Sequence, residues 1–418
     1  MKRYLLEIID NPIFFNFEAS NLTKGIALSL AFVAVSTKLG FMPLWMQTLY
    51  YAFCIIAFLF IFINCRGKFN IRFAILYWVL VINVIILPID PVFNSKMRLM
   101  LFILVTVVCS SAIVSKEAIL FRHFLFKYII MFFSFLVPLS CVCRFIGINF
   151  VRMSTNGLSV EEQISRTGLF GGLFQHSMTL GPIAALTAIS FYYGYLKDSN
   201  KKNYLVLFLM SALACFFSAS RGSILSLIVP VALSLLSKKD NVKTKENIRN
   251  ILILSCLIVF PFSDFILKGV VEKQERNVEM GSAFGSRIDK FDARLAEFNS
   301  SPILGVGFAS IDPLGPDEYG NDGSIEPGSS HLAVLSMTGI VGMICYLSII
   351  FFAYSSIKKD KNIIAQYRKS LLIAILLHGC WEGYVFSGGG FLCFLYWLIF
   401  SQCIDYRYIK KYKLNTYL

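Results

Sequence analysis

The stretch "NYLVLFLMSALACFFSASRGSILSLIVPVALSLLSKKD", residues 203–240, decides the fold. Its two runs, 203–219 and 223–237, are apolar apart from small polar residues, and the one charge between them is Arg221. A bilayer core is crossed by about 20 such residues in a helix, so the pair reads as two membrane helices joined at "SASRGS" (218–223). Lys238 and Lys239 close the second run with a basic flank.

Outward from this pair, the same pattern predicts spans at 23–38, 44–64, 73–89, 99–115, 127–147, 178–195, 250–267, 331–354, 369–386 and 389–404. The expected fold is an all-α multi-pass membrane protein of about 12 transmembrane helices. A large periplasmic loop, 268–330, containing short helices, interrupts one integral membrane domain covering 1–418.

Composition agrees. The chain is 56% hydrophobic and 15% charged, with a mean hydropathy of +0.67. A soluble core cannot hold that much apolar surface, so membrane lipids must be part of the solvent. The net charge of +14 then belongs to loops beside an anionic leaflet rather than to a nucleic-acid surface. Of the 11 cysteines none falls in the long polar loop, which argues against a disulfide framework or a zinc site. Residues 1–21 lack the apolar core of a cleavable signal peptide.

An even number of spans puts both termini on one side. The short basic connections gather there: Arg66, Lys68 and Arg72; Lys116, Arg122 and Lys127; Lys197, Lys201 and Lys202; Lys358, Lys359, Lys361, Arg368 and Lys369. That side is predicted to be cytoplasmic. Lys96 and Arg98 count against the assignment. The opposite face receives the 148–177 loop, the Arg221 turn, the net acidic 268–330 loop and the "SGGG" turn at 387–390.

Several outer-face residues are able to carry chemistry. Arg221 has the fixed donor fork that suits phosphate oxygens, or it is an arginine snorkelling to headgroups or paired with a loop carboxylate. "SRIDKFDARLAEFNSSPILGVGF" (286–308) predicts a short amphipathic helix with Ile288, Phe291, Leu295 and Phe298 on its apolar face. It carries Arg287 and Arg294, and for Arg294 and Lys290 a solvated face is expected. Gly305 and Gly307 allow a tight turn or close backbone approach.

His331 opens a span and is either a general base or an interfacial histidine. His378 and Glu382, spaced i and i+4, are expected on one face of a span, where they position a base, bind sugar hydroxyls or satisfy each other. Arg166 and His176 flank the glycine-rich "RTGLFGGLFQHSMTLG" (166–181). The acidic group Asp312, Asp317, Glu318 and Asp322 lacks the spacing of a calcium loop and reads as solvated.

Four ordered blocks, "SASRGS" (218–223), "SRIDKF…SPILGVGF" (286–308), "SSHLAVLSMTGIVGM" (329–343) and, more weakly, "RTGLFGGLFQHSMTLG", resemble the O-antigen ligase and polymerase family of bacterial membrane glycan transferases. Leu332 departs from the asparagine common after the family histidine. The resemblance implies a GT-C-like fold in the bacterial inner membrane and an inverting, metal-independent transfer without an organic cofactor. The donor would be a polyprenyl diphosphate-linked oligosaccharide, and the acceptor another lipid-linked repeat unit (polymerase) or lipid A core (ligase). Arg221 and Arg287 would hold the diphosphate. His331, or in second place Glu382, would take the proton; Arg166, His176, His378 and Arg294 are accessory candidates. A flippase of lipid-linked sugars is disfavoured because neither repeat symmetry nor deep charges in several spans are evident.

Overall fold

A computed structural model describes residues 13–15, 17–64, 68–151, 170–236, 246, 248–250, 271, 287–312, 323 and 325–412. The described chain is mostly helical: α1 (Asn21–Ser36), α2 (Met46–Asn64), α3 (Ile71–Ile86), α4 (Ser95–Cys109), α5 (Lys116–Phe145), α6 (Ser177–Lys197), α7 (Asn203–Phe217), α8 (Arg221–Leu236), α9 (Arg287–Ser300), α10 (Ser330–Ile357), α11 (Ile363–Gly379) and α12 (Phe391–Lys411). A two-residue antiparallel pair, β1 (Lys68–Phe69) with β2 (Ile113–Val114), ties the start of α3 to the start of α5.

Every expected span except 250–267, which lies outside the described residues, overlaps a helix, with 99–115 and 369–386 running past helix ends at Cys109 and Gly379. Length separates them. Met46–Asn64, Pro91–Cys109, Lys116–Phe145 and Ser330–Ile357 are long and apolar enough to cross a membrane, whereas Asn21–Ser36, Ile71–Ile86, Asn203–Phe217 and Arg221–Leu236 are apolar but shorter.

The surface carries the membrane signature more directly. On α3 the exposed residues Ile71, Ile75, Trp78, Ile82 and Ile85 form one helical stripe, and Ile340, Ile344, Leu347 and Phe351 do the same on α10. Continuous exposed stripes of large apolar side chains are a liability in water and the expected surface in lipid.

Local sequence sets the helix starts. Side chains of Ser20, Asn70, Ser115, Asn362 and Ser329 each accept a backbone N–H from the first turn of the helix that follows. At the centre runs α12, where Phe394 through Ile404 are all buried, with Trp397 fully enclosed. Its one carboxylate, Asp405, is matched by Arg122 of α5, with Nε 2.8 Å and Nη2 2.9 Å from the two oxygens. Ser111 also donates to Asp405, and Arg122 donates to the Ile113 carbonyl, so the buried pair is hydrogen-bonded on both sides.

Two features shape the end of the bundle that bears the candidate residues. Helix α10 is kinked at Gly339, which has φ 59°. The "GVGF" segment fills the kink: Val306 N–H donates to Ser336 O (2.9 Å), Gly307 N–H to Met337 O (3.1 Å) and Ile340 N–H to Pro302 O (2.9 Å). Asn83, buried in α3, clamps this joint by donating to Leu304 O (2.6 Å) and accepting from Phe308 N–H (2.7 Å).

Candidate active site

The expected span 369–386 ends early. Helix α11 stops at Gly379, and Cys380 and Trp381 fold back onto the Leu377 and His378 carbonyls. Glycine here leaves room for the neighbour: a Cβ on Gly379 would stand 3.3 Å from His331 Nε2, and one on Gly383 would meet Pro327 at 2.6 Å. The i, i+4 relation of His378 and Glu382 is therefore absent. His378 is buried and its Nδ1 lies 2.9 Å from the Tyr384 hydroxyl, while Glu382 sits in the turn and faces elsewhere.

Around this turn the sequence blocks meet. Ser330 donates both its N–H (3.0 Å) and its hydroxyl to the Glu382 carbonyl, and Tyr384 N–H returns a bond to Ser330 Oγ (3.0 Å). From α9, Arg287 places Nη2 2.9 Å from Glu382 Oε1 and Nη1 3.2 Å from the Gly328 carbonyl. Glu326 approaches the same guanidinium at 3.4 Å. Phe291, one turn along α9, packs its ring 6.3 Å from that of Trp381.

The "SASRGS" block reaches the same place. Ala219 adopts φ 51°, turning α7 sharply into α8. Gly222 then lies against Trp381, whose Cβ and Cδ1 would both be 3.1 Å from an added Cβ. Arg221 thus starts α8 one residue from the Trp381 contact, and Trp381 is one residue from Glu382. The serines of the block are engaged locally: Ser218 donates to Cys215 O, and Ser223 to Ser220. The weaker fourth block joins through Gly181 of α6, where a Cβ would stand 2.5 Å from Ser223 Oγ.

His331 is more committed than its sequence position suggests. Nε2 lies 3.0 Å from the Leu376 carbonyl, which only accepts, so that nitrogen carries the proton. Nδ1 then accepts from the Tyr346 hydroxyl at 3.0 Å, and Tyr346 in turn is bonded to Tyr396. Both ring nitrogens are occupied within the protein.

Other expected residues fall away from the turn or take structural places. His176 caps α6, its Nδ1 accepting from Met178 N–H. Arg294 is not on a solvated face: it is buried, 2.9 Å from Glu297, whose other oxygen accepts from Asp312 N–H. The expected apolar face of α9 is split: Phe291 packs against Trp381 and Phe298 is half-buried, while Ile288 and Leu295 are exposed and Ala293, Arg294 and Glu297 are buried. Arg166, Asp317, Glu318 and Asp322 lie outside the described residues.

A residue the sequence reading used only for orientation, Arg98, also belongs to this end. Its Nη2 donates to Gly323 O (2.8 Å), and it lines a cavity of about 430 Å³ with Tyr51, Pro327, Gly383, Tyr384 and Ser387. The signal was present: an arginine directly before an apolar run, like Arg221.

Fold and site together define a helical membrane protein with arginines and a carboxylate gathered at one end of the bundle. Residues 205–347, about a third of the chain, are similar to the family model described as O-antigen ligase. The matched stretch contains Arg221, Arg287 and His331, and stops before Glu382. No curated protein matches the chain.

Proposed function

We propose that this protein is a surface-polysaccharide polymerase that moves a polyprenyl diphosphate-linked oligosaccharide onto another lipid-linked repeat unit at the outer face of the cytoplasmic membrane. The observation that carries the reading is the convergence of the "SASRGS", Arg287 and His331 blocks on the one turn that holds Glu382.

In this reading Arg221 and Arg287 bind the diphosphate and stabilise the charge that grows as it leaves. Arg287 exchanges Glu382 for phosphate oxygen as the donor arrives. The released carboxylate takes the proton of the acceptor hydroxyl. That oxygen attacks the anomeric carbon from the side opposite the diphosphate, the bond to the diphosphate breaks, and configuration inverts. The arginines supply the positive charge, so the reading needs neither a metal ion nor an organic cofactor. The acceptor sugar enters through the cavity lined by Arg98 and Tyr51.

Placing the proton on Glu382 reverses the order of preference the sequence suggests. It rests on the occupied nitrogens of His331 and on the free exchange open to a half-buried ion pair. His331 becomes the residue that anchors the end of α11 and hence the turn.

The ligase reading, in which the glycan passes to lipid A core, is favoured by the description of the matched family. It shares the donor and the arginine chemistry and differs in the acceptor. The gel profile of surface glycan from a deletion strain separates the two. Single repeat units still attached to the usual acceptor support the polymerase. Long chains stranded on the lipid carrier support the ligase, and an unchanged ladder rejects both.

A further inference from the structure

The opposite ends of the helices that build the candidate site form a second cavity. Helix α8 begins at Arg221, α10 begins beside His331 and α11 ends at the Glu382 turn. Their other ends enclose about 460 Å³, lined by Ser234, Lys358, Lys359, Lys361, Lys369 and Ser370 among others. A 16-residue helix such as α8 is about 24 Å long, so this cavity lies about one membrane leaflet or more from the arginine turn.

We infer that this cavity binds the phosphate headgroup of an anionic phospholipid in the leaflet facing the lysines. Three observations carry the inference. Among the described residues, four that line it are lysines, and the one lining carboxylate, Asp360, is already taken by Lys410 and the Tyr406 hydroxyl. Burial pushes the Asp360 carboxyl up, but Lys410, the Asn362 N–H and Tyr406 together hold it below the ordinary carboxylate range, so it stays committed to these partners. Among the described residues the cavity therefore presents an excess of positive charge to an anion, with Lys358 and Lys369 resting over the Phe351 and Tyr354 rings.

The second observation is its amphipathic wall. Leu233, Ile357 and Ile373 line the same space, and Leu233 is half exposed on the apolar outer surface of α8. An acyl chain leaving a bound headgroup has an apolar path along that surface, which a free phosphate ion would not use. The third is a set of hydroxyls fixed at the cavity wall: Ser370 is held by Tyr193 at 2.8 Å, and Ser234 by Tyr192 at 3.0 Å. Lysines near a charged leaflet each add attraction to anionic headgroups, which makes a cluster of four selective for anionic lipid.

The test is native mass spectrometry of the full-length protein in detergent, titrated with phosphatidylglycerol or phosphatidylcholine. The wild type is expected to retain phosphatidylglycerol in preference to phosphatidylcholine. The triple variant Lys358→Gln, Lys361→Gln, Lys369→Gln is expected to lose that lipid by roughly tenfold or more. A control variant at other basic positions, Lys201→Gln with Lys202→Gln, is expected to bind as the wild type does. Equal binding by wild type and triple variant overturns the proposal, as does equal loss in the control. Displacement of phosphatidylglycerol by millimolar inorganic phosphate assigns the lysines to a free anion and overturns the lipid.

Discussion

Arg287 and Glu382, 95 residues apart, meet with Nη2 2.9 Å from Oε1, and this ion pair joins α9 to the turn that follows α11. Its side chains are neither sealed nor fully wet, at 19% and 16% exposure. Pairs near a surface contribute about 0–1 kcal/mol net, whereas bidentate arginine–phosphate bonds are among the strong ones. In the proposed reaction a diphosphate arriving at Arg287 would be a better partner than Glu382, and the exchange would be downhill.

If Glu382 takes the proton, Glu382→Gln lowers kcat by about 10²–10⁴. Its KM for the lipid-linked donor stays level or falls, because the competing carboxylate charge on Arg287 is gone. Steady-state kinetics with a purified lipid-linked donor check this. A kcat near the wild-type value removes Glu382 from the chemistry.

His331 acts through Leu376 in this account, so the donor at Nε2 matters more than the imidazole itself. His331→Gln keeps a side-chain N–H near that carbonyl and is expected to retain most of the activity that His331→Ala loses. The acid limb of the pH–rate profile is expected to be unchanged in His331→Gln. Equal inactivity of the two variants would make the histidine the base.

The joint between "GVGF" and the α10 kink tolerates no side chain. Gly305 (φ +75°) would place a Cβ 2.4 Å from Ser336 O, and Gly339 (φ +59°) would place one 2.3 Å from Ile303 O. An L-residue in that conformation costs about 1–2 kcal/mol, and overpacking against backbone roughly 1–3 more. Gly305→Ala and Gly339→Ala should each lower the thermal midpoint in detergent. The pair should be non-additive because both disrupt one contact.

Asp405→Ala leaves the Arg122 guanidinium buried without its carboxylate, at a cost of about 3–5 kcal/mol. The expected result is a large fall in folded yield by size-exclusion fluorescence, with transfer per folded molecule preserved. Replacing Arg122 and Asp405 together by Met and Leu should recover part of the yield.

The helices were legible because apolar runs between basic flanks have few other readings. Hydropathy overran at 380–386, where "CWEGYVF" is apolar enough to extend a span, while Gly379, Gly383 and the packed Pro327 end the helix. It placed α9 but not the surroundings of its face, since periodicity finds an apolar side without saying which of its residues the protein covers. Buried polar residues left no local signal: Asn83 lies in an ordinary apolar run, and its partners at Leu304 and Phe308 are more than two hundred residues away.

The candidate site was legible as separate blocks and illegible as a place. Arg221, Arg287 and His331 stood out as polar residues at span ends. What joins them is Trp381 against Gly222 and Ser330 on the Glu382 carbonyl, contacts that no spacing rule encodes. The commitment of His331 to Leu376 and Tyr346 is likewise a property of the folded bundle.

The most direct test of the central claim is the initial rate of glycan transfer from a polyprenyl diphosphate-linked donor by purified wild type, Arg221→Ala and Arg287→Ala. The account predicts a loss of about 10²–10³ for each variant, with folded yield unchanged. Wild-type rates in both variants would contradict it and leave the arginine turn without a role in the reaction.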